Sequence, residues 1–501
     1  MSKMKWLGLL IASLPLITIA QKTPDPKPFA NTITADDLKK HLYIVAGKEM
    51  EGRETATEGQ RKAAAYIEQH FKNLGLQPGN KGSYQMSYAV AQDSFVRAAM
   101  KVNDQALEYS KDFAVPSSQN YNATQLFSEL VFAGYGIVDS TRDDYNNVDV
   151  KGKLVMLITG GPNSKNVNAF QKQAYALQKG AAAVLIIQGN VLGSRPGAKG
   201  QMSMSSGYNR RIMPNVFYIS EKVAQTILGT SYDSAKNAAL PARIFPANVY
   251  LQMQKESIST QSSNVIGFME GTDKKDEFLV LTAHYDHLGK RDTTIYYGAD
   301  DDGSGTVSIL ELAEAFAEAK KKGKGPRRSI IFMTVSGEEK GLWGSRYYSD
   351  NPTYPLEKTT VNLNIDMIGR IDPKRKVGDS TNYVYVVGDD KLSTDLRPIS
   401  ENANKKYTKL ELDYKYNDPK DPERIYFRSD HYNFARVGIP IIFYFNGTHA
   451  DYHRPTDTPE KINYSLMAKR AQLVFYTAWD MANRNDMLKR DIPLNPPARG
   501  F

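Results

Sequence analysis

The chain has 501 residues, with 64 Lys and Arg against 55 Asp and Glu, a formal net charge of +9 and no cysteine. Apolar residues make up 41 % and charged residues 24 %, which excludes a disordered chain, a collagen-like chain and a multispan membrane protein. Zero cysteine removes disulfides, thiolate metal sites, iron–sulfur clusters and thiol nucleophiles, so any metal must sit on His, Asp and Glu.

Residues 1–20 read as a cleavable leader. Lys3 and Lys5 give a basic start, residues 6–19 are almost wholly apolar, and Thr18 and Ala20 place small side chains before Gln21. The apolar run is too short for a bilayer span, which needs ~20 residues. Cleavage near Ala20 leaves no stable membrane anchor and implies a periplasmic or secreted protein.

Residues 33–110 open a domain that resumes at 256–485. Residues 57–76 repeat apolar side chains at Ala64, Ile67, Phe71 and Leu74, a one-faced helix ending at Gly75. Residues 111–255 read as a small, β-rich α/β insert. Short apolar runs at 129–137, 154–159, 182–188 and 216–219 alternate with turns, and a helical stretch lies at 168–178. This insert holds 15 Lys and Arg against 8 Asp and Glu, so it supplies most of the net charge. That suits a solvated face or attraction of acidic substrates. No nucleic-acid motif accompanies it.

From 256 onward strands and helices alternate: an apolar run at 278–282, a helix at 306–320, and further runs at 330–335, 361–365 and 439–445. In the helix, Ile309, Leu312, Ala313 and Phe316 share one face while Glu311, Glu314 and Glu318 lie off it. The fold class is α/β, a mixed and mostly parallel sheet flanked by helices, whose ligands gather at strand carboxyl ends. Residues 486–501 form a tail.

Chemistry-bearing residues concentrate at those strand ends. His284 follows the FLVLTA run in AHYDH, two residues before Asp286. A His-x-Asp pair suits a metal ligand whose other ring nitrogen is held by a carboxylate. GADDDGSG (298–305) puts three carboxylates, Asp300 to Asp302, before the helix, costly to bury without a cation. Glu338 and Glu339 follow SIIFMTVSG, Asp366 ends VNLNID, and His453 lies in DYHRPTDTPEKI, where Thr458 and Pro459 suit a helix start. Two imidazoles and several carboxylates make a hard donor set that suits two divalent ions sharing one carboxylate, zinc first. A spare glutamate beside a ligand is what metal-assisted hydrolysis uses as base.

AHYDH, GADDDGSG, SGEEKGLWGS, NIDMIG and YHRPTDTPEKI, in this order, resemble the co-catalytic dizinc exopeptidase family, which includes secreted bacterial aminopeptidases, glutamate carboxypeptidases and the transferrin receptor. The similarity spans about 33–485 and includes EGRETATEGQRKAA. AGYGI, DDYNNVDVKGKLV, KGAAAVLII and MPNVFYIS resemble a protease-associated domain inserted in many members.

The resemblance implies that His284 and Asp366 bind one zinc, Glu339 and His453 the other, and Asp301 both. Cobalt or manganese would serve as substitutes. Asp301 rather than Asp300 is implied as the bridge because it stands four before Gly305, with a cis peptide to Asp302. Asp286 would orient His284, Glu338 would be the general base for a zinc-bridged hydroxide, and Tyr452 would steady the oxyanion. The activity implied is removal of N-terminal residues from peptides with a free amino terminus.

Three alternatives stand beside it. A glutamate-type carboxypeptidase would draw on an arginine clamp such as Arg195, Arg210 and Arg211. A glutaminyl cyclase-like acyltransferase uses one zinc. A non-catalytic homologue would have lost its ligands. His287 and His449 read as supporting or structural residues. Ser429, Asp430 and His431 resemble a pocket-lining loop without a Gly-x-Ser-x-Gly elbow. Asn122 and Asn446 have glycosylation spacing.

Overall fold

The computed structural model describes residues 23–116, 120–162, 167–204, 213–237 and 240–494. The expected leader, Arg210, Arg211 and the end of the tail lie outside them. The chain separates into two units, residues 87–263 and residues 1–86 with 264–501.

The first of these starts earlier than 111 and ends later than 255. Strand Gln85–Val102 pairs with Gln105–Ala106 and Lys199–Ser203, which draws residues 87–110 into this unit. At the other end, strand Arg243–Met269 pairs antiparallel with Ala123–Phe132 from Arg243↔Phe132 to Met253↔Ala123. Ala123–Phe132, Leu154–Ile158, Ala183–Gln188 and Asn215–Ser220 form a parallel ladder. Helix Ala169–Gln178 is opened by a capping box of Asn168 and Gln171.

The other unit holds the candidate chemistry. Helix α1 (Ala35–Val45) starts where the Thr34 side chain accepts from the Asp37 N–H and buries Leu38, Leu42 and Val45. Helix α2 (Glu58–Asn73) buries Ala64, Ile67 and Phe71 of the expected stripe, with Ala63 beside them, while the fourth member, Leu74, is the half-buried C-cap. Its sheet uses residues 264–269 of β1 (Arg243–Met269), then β2 (Lys274–His284), β3 (Arg328–Val335), β4 (Thr359–Ile365), β5 (Tyr383–Val387), β6 (Glu411–Asp413) and β7 (Ile441–Phe445). The spatial order is β6-β5-β7-β4-β2-β3-β1. The four strands β7, β4, β2 and β3 are mutually parallel, while β5 runs antiparallel to β7 and β1 to β3.

Every residue of β3, β4 and β7 is buried, as a sheet covered on both faces requires. On one face lie α1, α3 (Gly305–Lys321) and α4 (Tyr464–Asn483), packed through Leu42, Phe316, Phe475 and Trp479. On the other, Tyr348 and Phe434 cover Val280, Met333 and Ile441.

Two local expectations change. Helical periodicity puts Glu311 off the buried face of α3, yet its side chain is 1 % exposed, because α1 and α2 pack on that flank. The helix expected from Thr458 and Pro459 is one 3₁₀ turn, Pro459–Lys461. The long helix α4 begins only at Tyr464, where the Asn463 side chain accepts from the Leu466 N–H.

Candidate metal centre

Strand β2 is central, and its last residue, His284, is flanked by the ends of β3 and β4. Glu338 and Glu339 follow β3, Asp366 follows β4 directly, and Asp301 sits in the turn between β2 and α3. His453 comes from the loop between β7 and α4 and has left-handed backbone (φ 57°), an uncommon conformation for a histidine.

These side chains meet. Nε2 of His284 lies 3.3 Å from Asp301 Oδ1 and 3.6 Å from Asp366 Oδ1. Nε2 of His453 lies 3.1 Å from Asp301 Oδ2 and 3.1 Å from Glu339 Oε2. The two oxygens of Asp301 thus face two different imidazoles. Glu338 binds into neither group as closely; its Oε2 is 4.0 Å from His284 Nε2.

The three aspartates of 300–302 have separate tasks. Asp302 Oδ2 accepts from the His284 backbone N–H at 3.0 Å, and its Oδ1 accepts from Gly305 and Met367 N–H groups at 2.9 and 3.0 Å. Asp300 accepts from the Gly369 N–H at 2.7 Å and lies 3.1 Å from His449 Nε2. Only Asp301 keeps its carboxylate for the site. The Asp301–Asp302 peptide is cis. A Cβ on Gly305 would meet Asp302 Oδ1 at 2.3 Å and the Ile365 carbonyl oxygen at 2.6 Å, so glycine is required where α3 starts against the end of β4.

Asp286 differs in detail from its expected place. Nδ1 of His284 is 3.0 Å from the Asp286 backbone carbonyl and 3.7 Å from its carboxylate. The carboxylate instead accepts from the Thr55 hydroxyl at 2.7 Å and the Glu338 N–H at 3.2 Å, tying the turn after β3 to that after β2.

Three residues are more tightly built into the site than their sequence context suggests. His287 is fully buried, with Nδ1 2.8 Å from Glu339 Oε1 and 3.8 Å from Asp301 Oδ2. Asp457, inside the quoted PTDTPEKI motif but given no role, accepts from the Asp300 and Asp301 N–H groups at 3.0 and 3.2 Å. Arg53, in the EGRE stretch, is fully buried and donates to the carbonyls of Val45, Tyr285, Tyr297 and Gly298. Their signal was membership of those motifs, not spacing. Ser429, Asp430 and His431 are buried and pair with Asn364, Ser345 and the Tyr426 carbonyl, so that triplet is structural. Asn446 is fully buried and accepts from the Arg370 N–H, which removes it as a glycosylation site.

Charge explains what the arrangement lacks and what it can hold. Burial opposes protonation of His284, yet Asp366 and Glu338 beside it raise its pKa well above the usual value. Burial likewise opposes protonation of His453, but Asp301 and Glu339 push it up to about 10. Burial raises the Glu338 carboxyl well above the ordinary range, reinforced by Glu339 and Asp366. His284 Nε2, His287 Nδ1, Asp301 Oδ2 and Glu339 Oε1 are buried without a hydrogen-bond partner.

Orphaned imidazole and carboxylate atoms in a crowded anionic site fit divalent cations. Ligand atoms about 2.1 Å from a tetrahedral ion sit roughly 3.4 Å apart, close to the separations here. His284, Asp301 and Asp366 form one candidate ligand group; His287, Asp301 and Glu339 form another, each within 4.8 Å. Beside them a pocket is lined by Met367, Ile425, Phe443 and Phe445, with Arg428, Thr448 and Tyr452 at its polar side. The Tyr452 ring stacks on His453 with centroids 3.9 Å apart.

Residues 264–478 match peptidase family M28. A probable leucine aminopeptidase of Trichophyton verrucosum is 29 % identical over 216 residues, 42 % of this chain and 55 % of that protein, so the match spans about half the relative's length. Leucine aminopeptidase 2 of Trichophyton rubrum is 23 % identical over 95 % of this chain and 92 % of its own. A zinc aminopeptidase structure from Bacillus subtilis shares the fold, with a TM-score of 0.51, 20 % identity, and coverage of 92 % of this chain and 99 % of that one.

Proposed function

From the premise that residues 264–478 form a peptidase family M28 domain, we propose that the protein is a metal-dependent aminopeptidase that removes apolar N-terminal residues from peptides. The single observation that carries this reading is Asp301, whose two carboxylate oxygens face His284 and His453 separately. His284, Asp301 and Asp366 would hold one divalent ion, and Asp301, Glu339 and His453 the other, with zinc best suited to the donors. The ions, when bound, supply Lewis acidity that polarises the scissile carbonyl and acidifies water.

The chain's own residues do the rest. Glu338, poised by burial, takes a proton at Oε2 as the water oxygen attacks the carbonyl carbon, and returns it to the amine nitrogen as the C–N bond breaks. Tyr452, whose hydroxyl burial holds protonated, donates a hydrogen bond to the carbonyl oxygen. Met367, Ile425, Phe443 and Phe445 exclude water and receive an apolar first side chain. The relatives named leucine aminopeptidases support that preference.

Arg428 is the one cation among the residues lining this pocket, short of the arginine cluster a carboxylate-terminal substrate asks for. Residues 111–255 are read as a protease-associated insert from their sequence resemblance. No helix among the described residues is long and apolar enough to cross a membrane; the leader-like residues 1–20 support action outside the cytoplasm. Leucyl and acetyl-leucyl anilides, offered to zinc-loaded enzyme, test the reading. Turnover of the free-amine compound alone is expected, and equal turnover of both would overturn it.

A further inference from the structure

Five of the seven histidines belong to the region just described. The other two, His41 on α1 and His70 on α2, stand against each other with rings 4.8 Å apart and nearly perpendicular. Across from them α3 presents Glu311 and Glu314, three residues apart and therefore on one face. One ligand atom each from His41, His70 and Glu314 lies within 4.8 Å of the others. His41 Nε2 is also 3.5 Å from Glu311 Oε1.

His41 is anchored on one side: its Nδ1 pairs with the Tyr66 hydroxyl at 2.6 Å, and the His70 ring lies beside the backbone of Leu310. Such an outer partner fixes tautomer and ring orientation for metal-ligating histidines. The free atoms are unsatisfied: His70 Nε2 and Glu311 Oε1 are buried with no hydrogen-bond partner, and the Glu311 side chain is 1 % exposed. Glu314 lies at the exposed rim, which leaves an entry path.

We propose that His41, His70, Glu311 and Glu314 form a second, separate binding site for a first-row divalent cation of the zinc type. Two imidazoles and two carboxylates suit zinc or cobalt, and exclude a preference for calcium or magnesium, which favour all-oxygen shells. Burial, then the charges of Glu314 and Asp37, pushes the Glu311 carboxyl up to about 8, a cost that a bound cation relieves. Burial pulls His41 down to about 4, so its ring is neutral and able to ligate.

Occupation would staple three helices, α1, α2 and α3. Leu42, next to His41, packs where a Cβ on Gly303 would meet its Cδ1 at 2.7 Å, so the staple would firm the packing of α1 beneath the start of α3. The site is structural: it touches no substrate pocket residue and needs no part of the catalytic reading.

The test is metal stoichiometry. The purified chain is stripped with chelator, reloaded with Zn²⁺ alone, desalted and measured by mass spectrometry for zinc per chain. Wild type is expected to hold one equivalent more than the double variant His41→Gln/His70→Gln, which should keep its turnover of a small aminoacyl anilide and lose several degrees in Tm with zinc present. Equal zinc in both would overturn the proposal. If the double variant does not fold, Glu314→Gln, altered only at the exposed rim, should weaken the added equivalent at least tenfold in a Co²⁺ titration; unchanged affinity would overturn it instead. Failure of the catalytic reading would change the equivalents common to all variants, not this difference.

Discussion

Asp301 divides its carboxylate between two histidines that stand 169 positions apart in the chain: Oδ1 lies 3.3 Å from His284 Nε2 and Oδ2 lies 3.1 Å from His453 Nε2. Asp457 holds the backbone of that turn through the N–H groups of Asp300 and Asp301, and Asp302 closes it against β2 and β4. One side chain therefore sets the distance between both halves of the site.

Asp301→Ala should deplete both ion positions at once. Zinc content is expected to fall below one per chain at the catalytic positions, with activity reduced by more than ~10³-fold, the scale of losing electrostatic stabilisation at a reacting centre. Elemental analysis with anilide kinetics on the same sample checks it. Retention of full zinc would contradict the shared role.

Glu338→Gln should separate chemistry from binding. The side chain is nearly isosteric and lies outside both ligand groups, so fold and zinc content should be unchanged. The value of kcat should drop ~10²–10⁴-fold, the range for a lost general base, with KM little altered. A variant keeping more than a tenth of wild-type kcat would remove Glu338 from that role.

Much of this was legible in the sequence, and the reason is topological. His284, Asp366 and the two glutamates each follow an apolar run, and parallel strands deliver such positions to one edge. The parallel core itself follows from near-continuous apolar runs. His287 was not legible, since a second histidine three positions after the strand-end His284 carries no periodic signal that it turns inward. Arg53 and Asp457 serve the backbone rather than the chemistry, so only three-dimensional hydrogen bonds expose them. Glu311 misled because helical periodicity assigns one buried face, whereas α3 is covered on several sides. Strand Gln85–Val102 carries no turn signal near residue 87, so nothing in the sequence marks where one unit gives way to the other.

His287 gives a sharper test of the second ligand group. Its Nδ1 is 2.8 Å from Glu339 Oε1, although neither atom has a hydrogen-bond partner, so the two converge without being aligned as donor and acceptor. His287→Ala should weaken zinc at that position ~10–100-fold, the usual effect of removing support around a ligand. A chelator competition titration reads the change. Unaltered affinity would make His287 a packing residue only.

Stability should fall with acidity through His431. Burial pulls its pKa down from 6.5 to about 3, and the ring stacks on Phe443. The folded chain refuses the proton that the unfolded chain accepts below pH ~6.5, so this contribution is complete above that pH and is lost as pH falls toward 3. His431→Gln keeps a donor for the Tyr426 carbonyl but does not titrate. Its urea midpoint, measured in chelator at pH 7 and pH 5, should decline less than that of wild type.

The central claim is a pair of ions joined by Asp301, and diffraction from zinc-soaked crystals at the zinc absorption edge tests it most directly. At this centre two anomalous peaks no more than ~4 Å apart are predicted, one between His284 and Asp366 and one between His453 and Glu339, with Asp301 touching both. A single peak, or two peaks that do not share Asp301, would contradict the account.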